Sequence, residues 1–329
     1  MDPAAFCRQS RVLVVAGKGG VGKTTITAAL ARMAARAGLS VLVVELEGKP
    51  GVPASFGRSE PLDYDEVVLQ HPSGTDGAIR ARRITPDDAL LEYLADHGMR
   101  RISRRLVSSG ALDVVATAIP GIRDILVLGK VKQLERAGVA DLVLVDAPAT
   151  GHVMTFLSSA RGLLDAARSG PVRAQAAEVV DLLSDPTRCQ VALVTLPEEM
   201  PVSEVIEAAY QLEDRVGVAL GPVVVNGCLP GTAGLDAEPD VAAAEAGTAL
   251  DPALARALAE AAAFHLRRYR LQQEQLARLA AELPLPQLHT PLVLGERIGP
   301  VEIDLLAGAL AREVERLPGP AATATGGSR

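Results

Sequence analysis

The sequence predicts an α/β fold, a mostly parallel sheet flanked by helices on both faces, and three observations predict it. Apolar runs of strand length recur along the chain: "RVLVVA", "SVLVVE", "DLVLVD", "CQVALVTL", "GPVVVN" and "LHTPLVL". Helical patterns separate most of them, and a glycine-rich loop joins the first run to the first helix. Near-continuous apolar strands alternating with helices indicate strands buried on both faces, hence a parallel sheet. Ligands of such sheets gather at the carboxyl ends of the strands, so "GKGGVGKT", "ELEGKPG", "DAPATGH", "PEEMP" and "NGCLPG", which all follow strands, are where a site is expected.

The first run leads into "VVAGKGGVGKTT", residues 14 to 25. Gly17, Gly22, Lys23 and Thr24 meet the phosphate-loop pattern Gly-x-x-x-x-Gly-Lys-Ser/Thr. In that pattern backbone N–H groups approach phosphates, the lysine reaches the outer phosphates and the hydroxyl holds magnesium. Lys18, Gly19, Gly20, Val21 and Thr25 complete the expected nucleotide-binding loop. "TITAALARMAARAG" follows as a helix that stops at Gly38. Strand, glycine turn and helix together predict a P-loop NTPase domain whose helix N-terminus adds attraction for anions.

Between the second apolar run and "DLVLVD" lie nearly a hundred residues, too many for one crossover. "AIRARRI" alternates like an edge strand. "TPDDALLEYL" begins a helix with Thr85 as N-cap, Pro86 in the first helical position and Asp87 and Asp88 in the first turn. Residues 85–138 are expected to form a helical subdomain inserted into one P-loop domain spanning 1–318, with 319–329 a disordered tail. Asp146 ends "DLVLVD" and has the position of the acid that supports magnesium through its water shell. A plain strand-end cap is the other reading of that carboxylate, and its pairing with a phosphate loop favours the metal. The arginines at 100, 101, 104 and 105 fall on helical spacing, as a solvated face does more often than a partner surface.

Composition narrows the function. The 329 residues are 48% hydrophobic, enough for one large core, and the net charge of −7 with a pI near 5.4 argues against broad nucleic-acid or anionic-membrane binding. No apolar run approaches the roughly 18 residues of a membrane span, and the amino terminus runs straight into a strand, so a cytoplasmic protein is expected. Cys7, Cys189 and Cys228 are widely spaced and form no C-x-x-C, which suggests neither disulfides nor a zinc or iron–sulfur site. Only five of the 33 basic residues are lysines: Lys18 and Lys23 in the loop, Lys49 after the second strand, and Lys130 and Lys132 in "GKVK".

Lys18 lies outside the phosphate cradle, beside a site that already has Lys23. In a dimer it could reach the partner's nucleotide and neutralise transition-state charge, as an arginine finger does. "GKGGVGKTT" resembles the deviant Walker A signature of the ATPase group that contains MinD and ParA, in which the first lysine acts in trans. "DAPATGH" followed by "VMTFL" is similar to the second switch of the arsenite-pump and tail-anchored-protein-targeting ATPases, the ArsA-like family. The likeness extends through "PGIRDILVLGKVKQL", "LVTLPEEMPVSE", "VVVN" and "TPLVLGERIGPVEIDLLAGAL", nearly the whole chain, and is nearest to actinobacterial ArsA-like ATPases described as anion-transporting.

The resemblance implies a cytosolic Mg2+-dependent ATPase that works as a homodimer, or as a heterodimer with a paralogous chain, and couples ATP to a client- or partner-binding helical subdomain. It implies that Asn226 reads the adenine edge, where an amide suits the donor–acceptor pair. Pro291 and Leu292 would cover the adenine, and His152 would be the switch II histidine, to which no catalytic role is given. Lys23 and Asp146 keep their roles. The family's first switch reads Asp-Pro-Ala-His, and the same offset here gives "EGKP", placing Glu47 where the water-positioning aspartate belongs. Glutamate has the same charge and a longer reach, and small misplacements cost large factors in rate. A nucleotide-gated binding or regulatory protein with negligible hydrolysis is therefore the second reading. Lys49, new to that switch, is either a solvated loop lysine or a sensor of nucleotide state. The missing cysteine cluster argues against arsenite. A helical insert with one methionine, Met99, argues against a hydrophobic-helix client.

Overall fold

The computed structural model describes residues 1–46, 51–96, 121–295 and 297–319. In chain order the elements are α1 (Pro3–Cys7), β1 (Val12–Gly17), α2 (Lys23–Arg36), β2 (Val41–Leu46), α3 (Val52–Ser55), β3 (Val67–Gln70), β4 (Ile79–Ile84) and α4 (Pro86–Asp96). Then come α5 (Ile122–Ala137), β5 (Leu142–Ala149), α6 (Thr150–Ala166), α7 (Pro171–Ser184), β6 (Cys189–Thr195), α8 (Glu199–Gln211) with a π-turn (Leu212–Val216), and β7 (Ala219–Cys228). The last are α9 (Pro239–Glu245), α10 (Pro252–Glu282), β8 (Gln287–Pro291) and α11 (Pro300–Arg316).

The strands form one eight-stranded sheet in the order β3-β4-β2-β5-β1-β6-β7-β8. Every neighbouring pair is parallel except β3 with β4. β1 lies between β5 and β6, with Val12 in register with Val143 on one side and Cys189 on the other. Its residues are all buried, as the unbroken run "VLVVAG" requires of a central parallel strand. Two apolar layers cover the sheet. One joins it to α5, α6, α7 and α8, the other to α1, α2 and α11. In the second layer Ile26, Leu30 and Met33 of α2 are almost fully buried, and truncating any one of them to alanine would cost about 2–5 kcal/mol.

The P-loop NTPase architecture expected from the apolar runs is present: each of the six runs is a strand. One expectation is corrected. "AIRARRI" is β4, an interior strand parallel to β2; the edge on that side is β3, which the sequence reading did not identify, and the other edge is β8. Arginines sit in β4 because their charge is met locally: Arg82, 8% exposed, stacks 4.4 Å above the Tyr64 ring, and Arg80 donates to Glu66 at 2.6 Å. The α4 cap is as expected, with the Asp88 N–H donating to Thr85 Oγ1 at 3.2 Å. Of the expected insert at 85–138 the structure describes the two framing helices, and α5 buries Ile125 to Val131 in the first layer. Met99 and the four arginines at 100–105 lie outside the described residues. In the 31-residue α10 the residues buried are Gln272, Leu276 and Leu279, so its carboxyl end is what packs.

Candidate functional site

The loop after β1 is built around two glycines that no other residue can replace without displacing its surroundings. A Cβ on Gly17 would lie 2.3 Å from the Val194 carbonyl oxygen, so the loop leaves the sheet pressed against β6. Gly22 has φ of 89°, and a Cβ there would fall 2.4 Å from Asn226 Nδ2. Gly22 is also the N-cap of α2, so the loop delivers its backbone directly to a helix N-terminus, where anions are favoured. Val21 is buried and fastens the loop to the second layer, while nothing lies within 4 Å of where a Cβ on Gly19 or Gly20 would be.

Thr24 and Asp146, 122 residues apart in sequence, meet at this point. Thr24 Oγ1 donates to Asp146 Oδ2 at 2.6 Å, and Thr27, one turn further along α2, donates to Lys23 O at 2.9 Å and to Asp146 Oδ1 at 3.5 Å. A hydroxyl and a carboxylate in contact beside a phosphate loop are the donor set that a magnesium–nucleotide complex takes. These residues fit that ion, Thr24 as a direct ligand and Asp146 behind it. The Lys23 ammonium donates to the Lys18 carbonyl at 2.9 Å, its arm lying across the loop. Lys18 points the other way: its ammonium is 2.5 Å from Glu204 Oε1 on α8, and the pair borders a cleft of about 330 Å3 with Met154 and Gln211. Thr25 is half-buried in the first turn of α2.

At the far side of the loop the Asn226 amide joins three segments. Its Nδ2 donates to Val21 O at 3.0 Å, and its Oδ1 accepts from Thr290 Oγ1 at 2.9 Å. Asn226 thus ties the phosphate loop to β8, just before Pro291 and the half-exposed Leu292, whose N–H donates to Cys228 O at 2.9 Å. His152 is exposed on α6, near enough for its charge to act on Asp124 of α5, whose carboxyl burial pushes up. Glu47 and Lys49 lie outside the described residues.

One carboxylate in the site escaped the sequence reading. Glu45, the last residue but one of β2, is 2% exposed and stands in register with Asp146 of β5. Its Oε1 accepts from the Gly51 N–H at 3.0 Å, while its buried Oε2 has no hydrogen-bond partner among the described residues. Burial pushes its carboxyl above the usual glutamate range, and the nearby Asp146 charge adds to the effect. The signal was present: "SVLVVE" ends in an acid as "DLVLVD" does. The thiols of Cys7, Cys189 and Cys228 are pushed up to about 12 by burial, which suits inert core cysteines. Lys130 and Lys132 are 8% and 6% exposed and are bound to Glu92 and Glu178, each at 2.6 Å, joining α5 to α4 and α7.

The anion-transporting ATPase family matches residues 10–169, the stretch that carries the phosphate loop, Glu45 and Asp146. ATPase BagA of Mycobacterium tuberculosis is 38% identical over 234 residues, 67% of this chain and 66% of that protein. An arsenical pump-driving ATPase of Acidiphilium multivorum is 28% identical over 334 residues, 94% of this chain and 50% of that protein. The ATPase get3 of Schizosaccharomyces pombe is 29% identical over 146 residues, 44% of this chain and 42% of that protein. The chain thus spans just under two thirds of the mycobacterial relative, at 66%, and less of the other two. No described helix is long and apolar enough to cross a membrane.

Proposed function

Since this chain matches the anion-transporting ATPase family over residues 10–169 and is 38% identical to ATPase BagA, we propose that it is a Mg2+-dependent ATP hydrolase of that family that works as a dimer in the cytoplasm and passes nucleotide state to a client or partner. The observation that carries the reading is the Thr24–Asp146 contact at 2.6 Å, set beneath a loop whose glycines leave room for phosphates. Bound magnesium would supply the positive charge that offsets the charge building on the transferred phosphoryl group.

The chain's own residues do the rest. Lys23 swings from the Lys18 carbonyl to the outer phosphates, and Thr24 and Asp146 would hold the ion, the hydroxyl directly and the carboxylate through water. Glu47 orients the attacking water, and Asn226, Pro291 and Leu292 hold the base. Lys18 leaves Glu204 and crosses to the partner's nucleotide, so hydrolysis requires two chains, either identical or paralogous. Closure of the two chains then moves the insert at 85–138, as nucleotide switches convert a γ-phosphate into a change of surface.

ATP turnover measured over a range of protein concentrations tests this. Turnover per chain should rise with concentration and then level off, and Lys18→Ala should keep ATP binding while losing about a thousandfold in turnover, the scale of a missing finger. A wild-type protein that binds ATP yet turns over no faster than background would leave the nucleotide-gated binding protein as the reading. A strict monomer in every nucleotide state would remove the trans role of Lys18. Capture of a partner by an ATP-locked variant, compared with the ADP state, would identify the client.

A further inference from the structure

Glu45 carries a charge for which the resting fold has no use. A buried carboxylate oxygen that no side chain or backbone group of the described residues bonds is costly, because the protein itself does not replace the solvation it lost. Its backbone donors, the Gly51 N–H at 3.0 Å from Oε1 and the neighbouring Val52 N–H, would be served equally well by a glutamine amide oxygen. Its neighbours make the charge more costly still. In the sheet it stands between Asp146 on β5 and Arg83 on β4, in register with both. Arg83 offsets part of the charge without bonding to Oε2, and its own Nε has no partner among the described residues.

The position is specific. Gly51, held by Oε1, rests on Thr24, since a Cβ there would lie 2.6 Å from Thr24 Cγ2. Thr24 in turn is bonded to Asp146 at 2.6 Å. The Glu45 carboxyl therefore closes a ring of four residues, Glu45, Gly51, Thr24 and Asp146, in which two carboxylates lie near each other. The arrangement lacks what a divalent cation with its water shell supplies, namely positive charge and O–H donors.

We propose that Glu45 is a second carboxylate of the magnesium site, its free Oε2 accepting a hydrogen bond from a metal-bound water while Oε1 fixes the backbone at Gly51. It is a positioning residue, acting on the metal's water shell and, through Gly51, on the backbone that rests against Thr24. The inference rests on the ATPase reading.

Glu45→Gln separates it from a structural role, because the amide preserves the Gly51 bond and removes the charge. ATP affinity in EDTA should stay within about twofold of wild type, whereas the affinity of the ATP-bound protein for Mn2+, used as the probe, should fall about tenfold or more, the usual effect of an outer-shell ligand. Without nucleotide the variant should unfold at the same temperature as wild type or higher. Unchanged Mn2+ affinity would overturn the inference. So would a loss of thermal stability equal with and without metal, which would mark Glu45 as a fold-holding partner of Arg83. A wild-type protein that binds no ATP would sink the ATPase reading itself and Glu45's role with it. Normal Mg2+·ATP binding by both proteins would sink the Glu45 role alone.

Discussion

Two buried glutamates at opposite ends of the sheet show how differently one residue type is treated. Glu135, 5% exposed on α5, sits by the amino ends of the strands, where Arg188 donates to both of its oxygens, at 2.6 and 3.2 Å, and Arg11 stands 3.9 Å away. Glu45, 2% exposed at the carboxyl end of β2, has the backbone N–H groups of Gly51 and Val52 for donors and one oxygen without a partner among the described residues. Burial is equal and satisfaction is not. A fully paired charge fits anywhere in the fold, whereas a carboxylate oxygen left without a donor beside a phosphate loop is one for which a bound ligand is the natural complement. The amino-terminal edge is thus finished by folding, and the carboxyl-terminal edge is finished by a ligand.

The largest effect should come from breaking the finished end. Glu135→Ala leaves the Arg188 guanidinium without its partner, and removing one member of a buried pair costs about 3–5 kcal/mol. Thermal unfolding should move down by on the order of 10 °C. The ATP affinity of the molecules that remain folded should not change. If affinity fell in step with stability, the two ends would be coupled and the contrast between them would fail.

A smaller effect is expected from the ion pair that spans the site end. Lys18 and Glu204, at 2.5 Å, are both partly exposed, so the pair is weak and easily broken. Under the proposed mechanism it must break before Lys18 can cross to a partner. Glu204→Gln should therefore raise turnover at sub-saturating protein concentration by about 1.5- to 5-fold, the range that 0.2–1 kcal/mol provides. It should shift the concentration dependence to lower protein without changing thermal stability measurably. Lower turnover would mean that Glu204 places Lys18 productively instead of restraining it.

What the sequence disclosed follows the same division. The interior strands β1, β2, β5, β6 and β7 were legible because a parallel strand covered on both faces is largely apolar, β8 through its apolar flank, and Lys23, Thr24 and Asp146 because loop spacing and strand ends are local features. β3 was not, because "VVLQ" is four half-buried residues with no periodic signal. The arginines of β4 misled because the Tyr64 ring beneath Arg82 comes from outside the strand. Partners distant in sequence were invisible in principle: nothing near residue 18 announces Glu204, and nothing near residue 226 announces Thr290. Glu45 was legible and overlooked, since an acid closing an apolar strand beside the phosphate loop is the same signal that identified Asp146.

The smallest effect, and the one that fixes the sign of the contrast, belongs to Asp141 at the finished end. It accepts from the Ser40 N–H at 2.8 Å and the Ser40 hydroxyl at 2.6 Å, a bridge between the starts of β2 and β5. These bonds hold its carboxyl below the usual aspartate value of 3.8. A carboxyl lowered by folding binds fewer protons in the native state than in the unfolded one. Its stabilisation is therefore complete above the ordinary value, and is lost as the pH falls through the lowered one. The group is largely exposed, so the gain is under about 1 kcal/mol. Asp141→Asn should accordingly be slightly less stable than wild type near pH 6, and the difference should shrink below about pH 4 as the wild-type carboxyl protonates. Chemical denaturation at the two pH values measures it. A difference that grew on acidification would mean that this edge, too, carries charge the fold has not satisfied.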